Sequence, residues 1–103
     1  MELWESYLKK SDKVTWRGME DDCILLHLDT GIYYTLNEAG RFLWESCDGK
    51  KKLGMIFEEL LEHYEVDPEA AKKDVSEIVE DLVKEGLVEP YAEPQIDPSA
   101  IRP

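Results

Sequence analysis

The chain has 103 residues, which suits a single domain with a modest core. Hydrophobic residues make up 43% of the sequence, too large a share for a chain that is disordered throughout. The 24 acidic residues outnumber the 12 basic ones and give a formal net charge of -12, which argues against binding to nucleic acid or to an anionic membrane surface.

The cysteines and the lengths of the apolar runs indicate the cellular compartment of the protein. Cys23 and Cys47 form no CxxC pair, and two isolated thiols are typical of a reducing cytoplasm. No apolar stretch approaches the ~18 residues of a membrane span. The N-terminal Met-Glu-Leu-Trp-Glu is too acidic for a signal peptide. The sequence therefore predicts a cytoplasmic protein without a membrane anchor.

The first third of the chain predicts strands. Residues 1–13 fit either a short helix or an ordered arm. Three strands follow at Val14–Arg17, Cys23–Leu28 and Ile32–Leu36, and Gly31 supplies the positive φ of the turn between the last two. Apolar residues fall on both faces of these two strands. The chain's own helices can cover one face, so an uncovered face or edge is a candidate docking surface for another polypeptide.

The remainder predicts three helices. The first follows Asn37, a good N-cap, and ends near Gly49. After a lysine connector at 50–52, an amphipathic pattern predicts a second helix. The third opens at Asp67-Pro68 and closes at Gly86. The predicted fold is α+β, a three-stranded antiparallel sheet followed by three helices in a winged helix-turn-helix. Its predicted boundaries are 14–89, with a proline-rich flexible tail at 90–103.

The sequence offers little catalytic chemistry. Phosphate-binding loops, nucleophile elbows and zincin motifs are absent, which favours a protein that is not an enzyme and has no cofactor. A zinc site built from Cys23, His27, Cys47 and His63 would match no common ligand spacing. Neighbouring acidic residues on a helix point apart, so the acidic clusters are interpreted as solvated surface.

A longer pattern carries a family resemblance. It consists of the segment Gly31–Gly40, Trp44-Glu45, Asp48-Gly49, the segment Glu58–Tyr64, and Lys73-Asp74-Val75 with the segment Leu82–Val88. In order and spacing these elements resemble the PqqD-like family, named for protein D of pyrroloquinoline quinone biosynthesis. The resemblance covers about Val14 to Glu89.

The resemblance implies a winged-helix peptide chaperone that recognises the leader of a ribosomally made precursor peptide. Such a domain presents the precursor to a modifying enzyme, often a radical S-adenosylmethionine enzyme, and itself catalyses nothing. The leader is expected to add as a strand to the third strand and to lie against the third helix. Lys72 and Lys73 are expected to meet acidic leader side chains. The site carried over to this chain is Ile32, Tyr33, Tyr34, Thr35, Leu36, Lys72, Val75, Ser76 and Val79.

Two alternatives stay open. A winged helix could instead read DNA as a regulator, although the acidic third helix argues against contact with phosphates. The same open strand edge could also pair with the corresponding edge of a second copy of the chain in a homodimeric scaffold.

Overall fold

The computed structural model describes residues 2–95 as an α+β fold with three helices and two small antiparallel sheets. A 3-10 helix at Leu3–Glu5 precedes the regular elements. In chain order these are β1 Tyr7–Lys10, β2 Val14–Met19, β3 Asp22–His27, β4 Tyr33–Leu36, α1 Glu38–Ser46, β5 Asp48–Lys52, α2 Leu53–His63, α3 Pro68–Lys84 and β6 Val88–Tyr91.

The first sheet has the order β2-β3-β4 and contains the three predicted strands. Leu25 on the central strand lies opposite Trp16 on one side and Tyr34 on the other. The predicted third strand is shorter than expected, because Ile32 lies in the connecting loop. That loop is closed by the Gly31 N–H, which donates to the His27 carbonyl at 2.8 Å, and Gly31 has the predicted positive φ of 73°.

The second sheet was not predicted and corrects three sequence expectations. Its order is β5-β1-β6, so residues Tyr7–Lys10 of the predicted N-terminal arm form its central strand. The lysine connector at 50–52 belongs to β5, and the predicted tail begins inside β6 at Pro90 and Tyr91. These strands are short and rich in polar residues, so the sequence shows almost no hydrophobic periodicity there. Positions 96–103 of the predicted tail lie outside the described residues.

The three predicted helices are confirmed together with their caps. The Asn37 side chain accepts from the Gly40 N–H at 2.9 Å, and the Asp67 side chain accepts from the Ala70 N–H at 3.1 Å. Gly49 and Gly86 both have positive φ, 81° and 74°, as expected after a helix end. Gly49, however, lies within β5, because the chain enters the second sheet immediately after α1.

The core joins both sheets to the helices. Leu8 of β1, Leu25 of β3, Ile56 of α2 and Val79 of α3 are all fully buried in one cluster. Because buried residues of both sheets belong to this one cluster, the two sheets share a single core with the helices. Within residues 2–95, the helices are too short or too polar to cross a membrane.

Candidate functional site

The outer edge of β4 carries no strand partner among residues 2–95. β4 pairs only with β3, and the sheet ends there. An edge strand offers a row of main-chain donors and acceptors to another chain. The hydrogen bonds of the adjoining turn show which groups these are.

The free main-chain groups on this edge belong to Tyr33 and Thr35. The His27 N–H donates to the Ile32 carbonyl at 3.1 Å, so the bonded pairs between β3 and β4 continue at every second residue. By this alternation, Tyr34 and Leu36 point their main-chain groups toward β3. The N–H and C=O of Tyr33 and Thr35 consequently point away from the sheet.

A groove runs beside this edge, and we call it the β4–α3 groove. It is a cavity of about 220 Å³ lined by Tyr34, Thr35 and Leu36 of β4 and by Ile78, Asp81 and Glu85 of α3. Leu82 and Leu87 form its apolar floor. A polypeptide added to β4 would place every second side chain over this groove.

Tyr34 and Glu85 connect the two walls of the groove. The Tyr34 hydroxyl donates to Glu85 Oε2 at 3.3 Å. Desolvation raises the pKa of the Tyr34 phenol, and the Glu85 carboxylate raises this pKa further. The phenol therefore stays protonated at neutral pH and remains available as a donor.

The groove continues past Ile78 into a larger apolar cavity, which we call the α1–α3 pocket. Its volume is about 410 Å³, and its walls include Ala39 and Leu43 of α1 and Ala71 and Val75 of α3. Ile78 lines this pocket, the β4–α3 groove and a third cavity of about 360 Å³ at the start of α1. The three cavities thus adjoin one another along one side of the molecule.

The five predicted edge residues are distributed over the loop and both faces of β4. Ile32 and Tyr33 are 50% and 69% exposed. Thr35 is also exposed, whereas Tyr34 and Leu36 are half-buried toward the groove. The structure therefore brings the Tyr34 and Leu36 side chains to the groove, whereas Thr35 borders the groove at the strand edge and shares the outer face with Tyr33.

The predicted residues of the third helix are placed less favourably. Val79 is fully buried in the core and cannot contact a visiting chain. Lys72 lies on the other flank of α3, where its ammonium stacks over the Trp4 ring at 5.4 Å. Ser76 is about 160° around the helix from Ile78. Of this set, only Val75 lines a cavity on the β4 side, in the α1–α3 pocket.

The residues that do form the helical wall were missed by sequence reasoning. Ile78, Asp81 and Glu85 follow helical spacing and share one stripe of α3. Asp81 belongs to one of the acidic clusters interpreted as solvated surface, and neither Ile78 nor Glu85 was among the predicted site residues. The sequence did carry a signal for this wall. Ile78 is an apolar residue at the border of the core stripe, and acidic residues follow it at i+3 and i+7.

A metal centre is not assembled by the histidines and cysteines. Across residues 2–95 there is no group of three or more His, Cys, Asp or Glu side chains placed to hold an ion. His27 is buried, and its Nδ1 accepts from the Asp29 N–H at 3.2 Å, so it supports the turn before β4. Burial raises the pKa of the Cys47 thiol to about 12 and also raises that of Cys23.

Comparison with known families gives a match over residues 22–88 to the family described as "Coenzyme PQQ synthesis protein D (PqqD)". This chain belongs to the PqqD family. The match begins at β3 and ends at the start of β6, so it contains β4, α3 and the groove between them. No curated protein matches the chain.

Two solved structures are similar to this PqqD-family chain. One is described as "TbiB1 in Complex with the TbiA(beta) Leader Peptide". It is 30% identical, with a TM-score of 0.72, and the match covers 82% of this chain and 99% of that one. The other, "Lasso peptide synthetase B1 complexed with the leader peptide", is 21% identical with a TM-score of 0.68 and the same coverage. At that identity the second supports the fold alone.

Proposed function

We propose that this chain is a non-catalytic adaptor that binds the leader segment of a ribosomally made precursor peptide. The leader adds as a strand to the open edge of β4 and lies in the β4–α3 groove. The adaptor then presents the rest of the precursor to a separate modifying enzyme. In this arrangement the first sheet and the three helices act as a winged helix-turn-helix whose wing and third helix form the binding site.

The observation that carries the proposal is the main chain of Tyr33 and Thr35, which has no partner within residues 2–95 and lies beside a groove. Strand addition uses main-chain hydrogen bonds for affinity and side-chain pockets for selectivity, and both are present at this edge. Membership of the PqqD family and the 30% identical TbiB1, described in complex with a leader peptide, support the same assignment.

The DNA-binding alternative finds no support at α3. The exposed residues of this helix include Asp74, Asp81 and Glu85 on the groove side. A recognition helix needs basic residues to neutralise phosphates, and this surface would repel them. Pairing of two copies through β4 would occupy the same main-chain groups as a leader, so a dimer formed in this way would dissociate when a leader binds.

Amide hydrogen exchange tests the proposal at the atoms concerned. A leader peptide that binds the protein is added to ¹⁵N-labelled protein, and exchange is followed by NMR. We expect the Tyr33 and Thr35 amides to exchange rapidly in the free protein and to become protected on binding, while those of Tyr34 and Leu36 are protected in both states. A leader that binds without protecting Tyr33 and Thr35 would refute strand addition at β4.

A further inference from the structure

The charges around the binding groove are unusually one-sided. Six carboxylates border the three adjoining cavities, namely Asp22, Glu38, Asp67, Asp74, Asp81 and Glu85. No lysine or arginine of residues 2–95 lines any of these cavities. A chain lying in the groove therefore meets negative potential along its whole path.

The basic residues are concentrated elsewhere. Five lysines lie on β1 and β5 of the second sheet, at positions 9, 10 and 50–52. Lys51 and Lys52 already pair with Glu59 and Glu5, at 3.0 and 3.2 Å. Lys72, which sequence reasoning placed in the groove, lies over Trp4 on the opposite flank of α3. The groove acids are not among the ion pairs formed within residues 2–95.

The shape of the groove adds a second requirement. Side chains of an added strand alternate between the groove and the outer face. Those over the groove meet Leu82 and Leu87 at its apolar floor, and Asp81 and Glu85 at its rim. Beyond Ile78, the α1–α3 pocket of about 410 Å³ is large enough for a bulky apolar side chain. A single polypeptide can satisfy both surfaces if basic and apolar residues occur together in it.

We propose that the groove selects a cationic peptide segment, in which Lys or Arg residues at alternate positions accompany an apolar anchor. The inference rests on the proposed function and adds the chemistry of the peptide to it. It reverses the expectation that lysines of α3 meet an acidic leader. A net charge of -12 on the whole chain would also attract such a segment from a distance.

Selection from a random peptide library tests this and does not require the leader's sequence. A display library of 12-residue random peptides is selected on the wild-type protein, and Lys and Arg are counted against Asp and Glu in the enriched pool. We expect enrichment of basic residues at two-residue spacing beside an apolar residue. Affinity of the selected peptides is expected to fall as salt rises, since exposed charges are screened.

Two matched variants locate the effect. The double variant Asp81→Lys with Glu85→Lys reverses the charge of the groove rim. It should lower the affinity for the selected peptides by about 1.4- to 5-fold per carboxylate. The double variant Glu58→Lys with Glu80→Lys makes the same change in net charge at exposed helix positions outside the three cavities. It should leave the affinity nearly unchanged.

The outcomes separate the two proposals. If peptides bind through β4, as shown by protection of the Tyr33 and Thr35 amides, but the pool is neutral or acidic, the cationic selectivity is overturned and the adaptor function stands. If both double variants weaken binding equally, the effect comes from net charge and the assignment to the groove rim is overturned. If the selected peptides leave the β4 edge unprotected, the adaptor function fails and the selectivity fails with it.

Discussion

Removing one main-chain donor from β4 tests strand addition most directly. In Thr35→Pro the ring replaces the N–H that points away from β3, so no hydrogen bond of the β3–β4 pair is removed. Proline also favours extended backbone in the residue before it, and Tyr34 is already extended in β4. The protein should therefore fold while one donor on the binding edge is lost.

The expected magnitude follows from the value of one main-chain hydrogen bond. Such a bond contributes about 0.5–1.5 kcal/mol net, which corresponds to a loss of roughly 2- to 13-fold in affinity. The proline ring also occupies space beside the edge, so the loss should fall in the upper part of this range. Thr35→Ala is the matched control, because it removes the exposed side chain and keeps the N–H. Its effect should stay below about 2-fold.

Fluorescence anisotropy with the same leader peptide, fluorescently labelled, gives the affinities, and thermal melts by circular dichroism check the fold. Should Thr35→Pro fold poorly, an amide-to-ester replacement at Thr35, made by semisynthesis, removes the same N–H with little change in shape. Equal affinities for wild type and a folded donor-deleted protein would refute the reasoning. If Thr35→Ala binds the leader as weakly as Thr35→Pro, the loss of affinity comes from the side chain and not from the N–H.

Further predictions concern stability. Leu8→Ala should lower the free energy of unfolding by about 2–5 kcal/mol, because Leu8 is fully buried in β1, whereas exposed Asp12→Ala should change it by less than about 0.5 kcal/mol. Urea unfolding decides this, and a small effect of Leu8→Ala would mean that the N-terminal segment is not integral to the core. Gly49→Ala should destabilise by at least about 1–2 kcal/mol, since its φ is 81° and an added Cβ would lie 2.9 Å from the Gln95 Cβ. In contrast, Gly54→Ala, whose Cβ would meet nothing closer than 3.6 Å, should stabilise by about 0.4–1 kcal/mol; melting temperatures that shift in the same direction for both glycines would contradict this. Burial raises the pKa of Cys47 from 9.0 to about 12. The stability that the protonated Cys47 thiol contributes is therefore fully present well below pH 9 and is lost as pH rises from 9 toward 12. At pH 10 the loss from this thiol is on the order of 1 kcal/mol, and urea titrations at pH 8 and pH 10 should show a correspondingly smaller drop in Cys47→Ala; identical drops would show that Cys47 is not protected from ionisation.

Local chemistry made much of the fold predictable. Caps and positive-φ glycines depend on only a few neighbouring residues, so they can be predicted from the sequence. This holds for the caps at Asn37 and Asp67 and for the glycines with positive φ. The first sheet was predictable because Leu25 and its neighbours are needed in the core and carry a hydrophobic pattern. The binding edge on the third strand was implied by the family resemblance, and the structure places β4 at the end of its sheet.

The tertiary structure alone decided the rest of the fold and the groove wall. The second sheet pairs β1 with β5 and β6 across distant parts of the chain, and its polar β5 is held by main-chain bonds that any side chain permits. Helical periodicity shows which residues of α3 share a stripe, but the two borders of its core stripe are equivalent until the sheet packs against one of them. Packing placed Ile78, Asp81 and Glu85 beside β4 and turned Lys72 away. The sequence predicted the strands of the first sheet, whereas the packing of α3 decided which side chains line the groove beside β4.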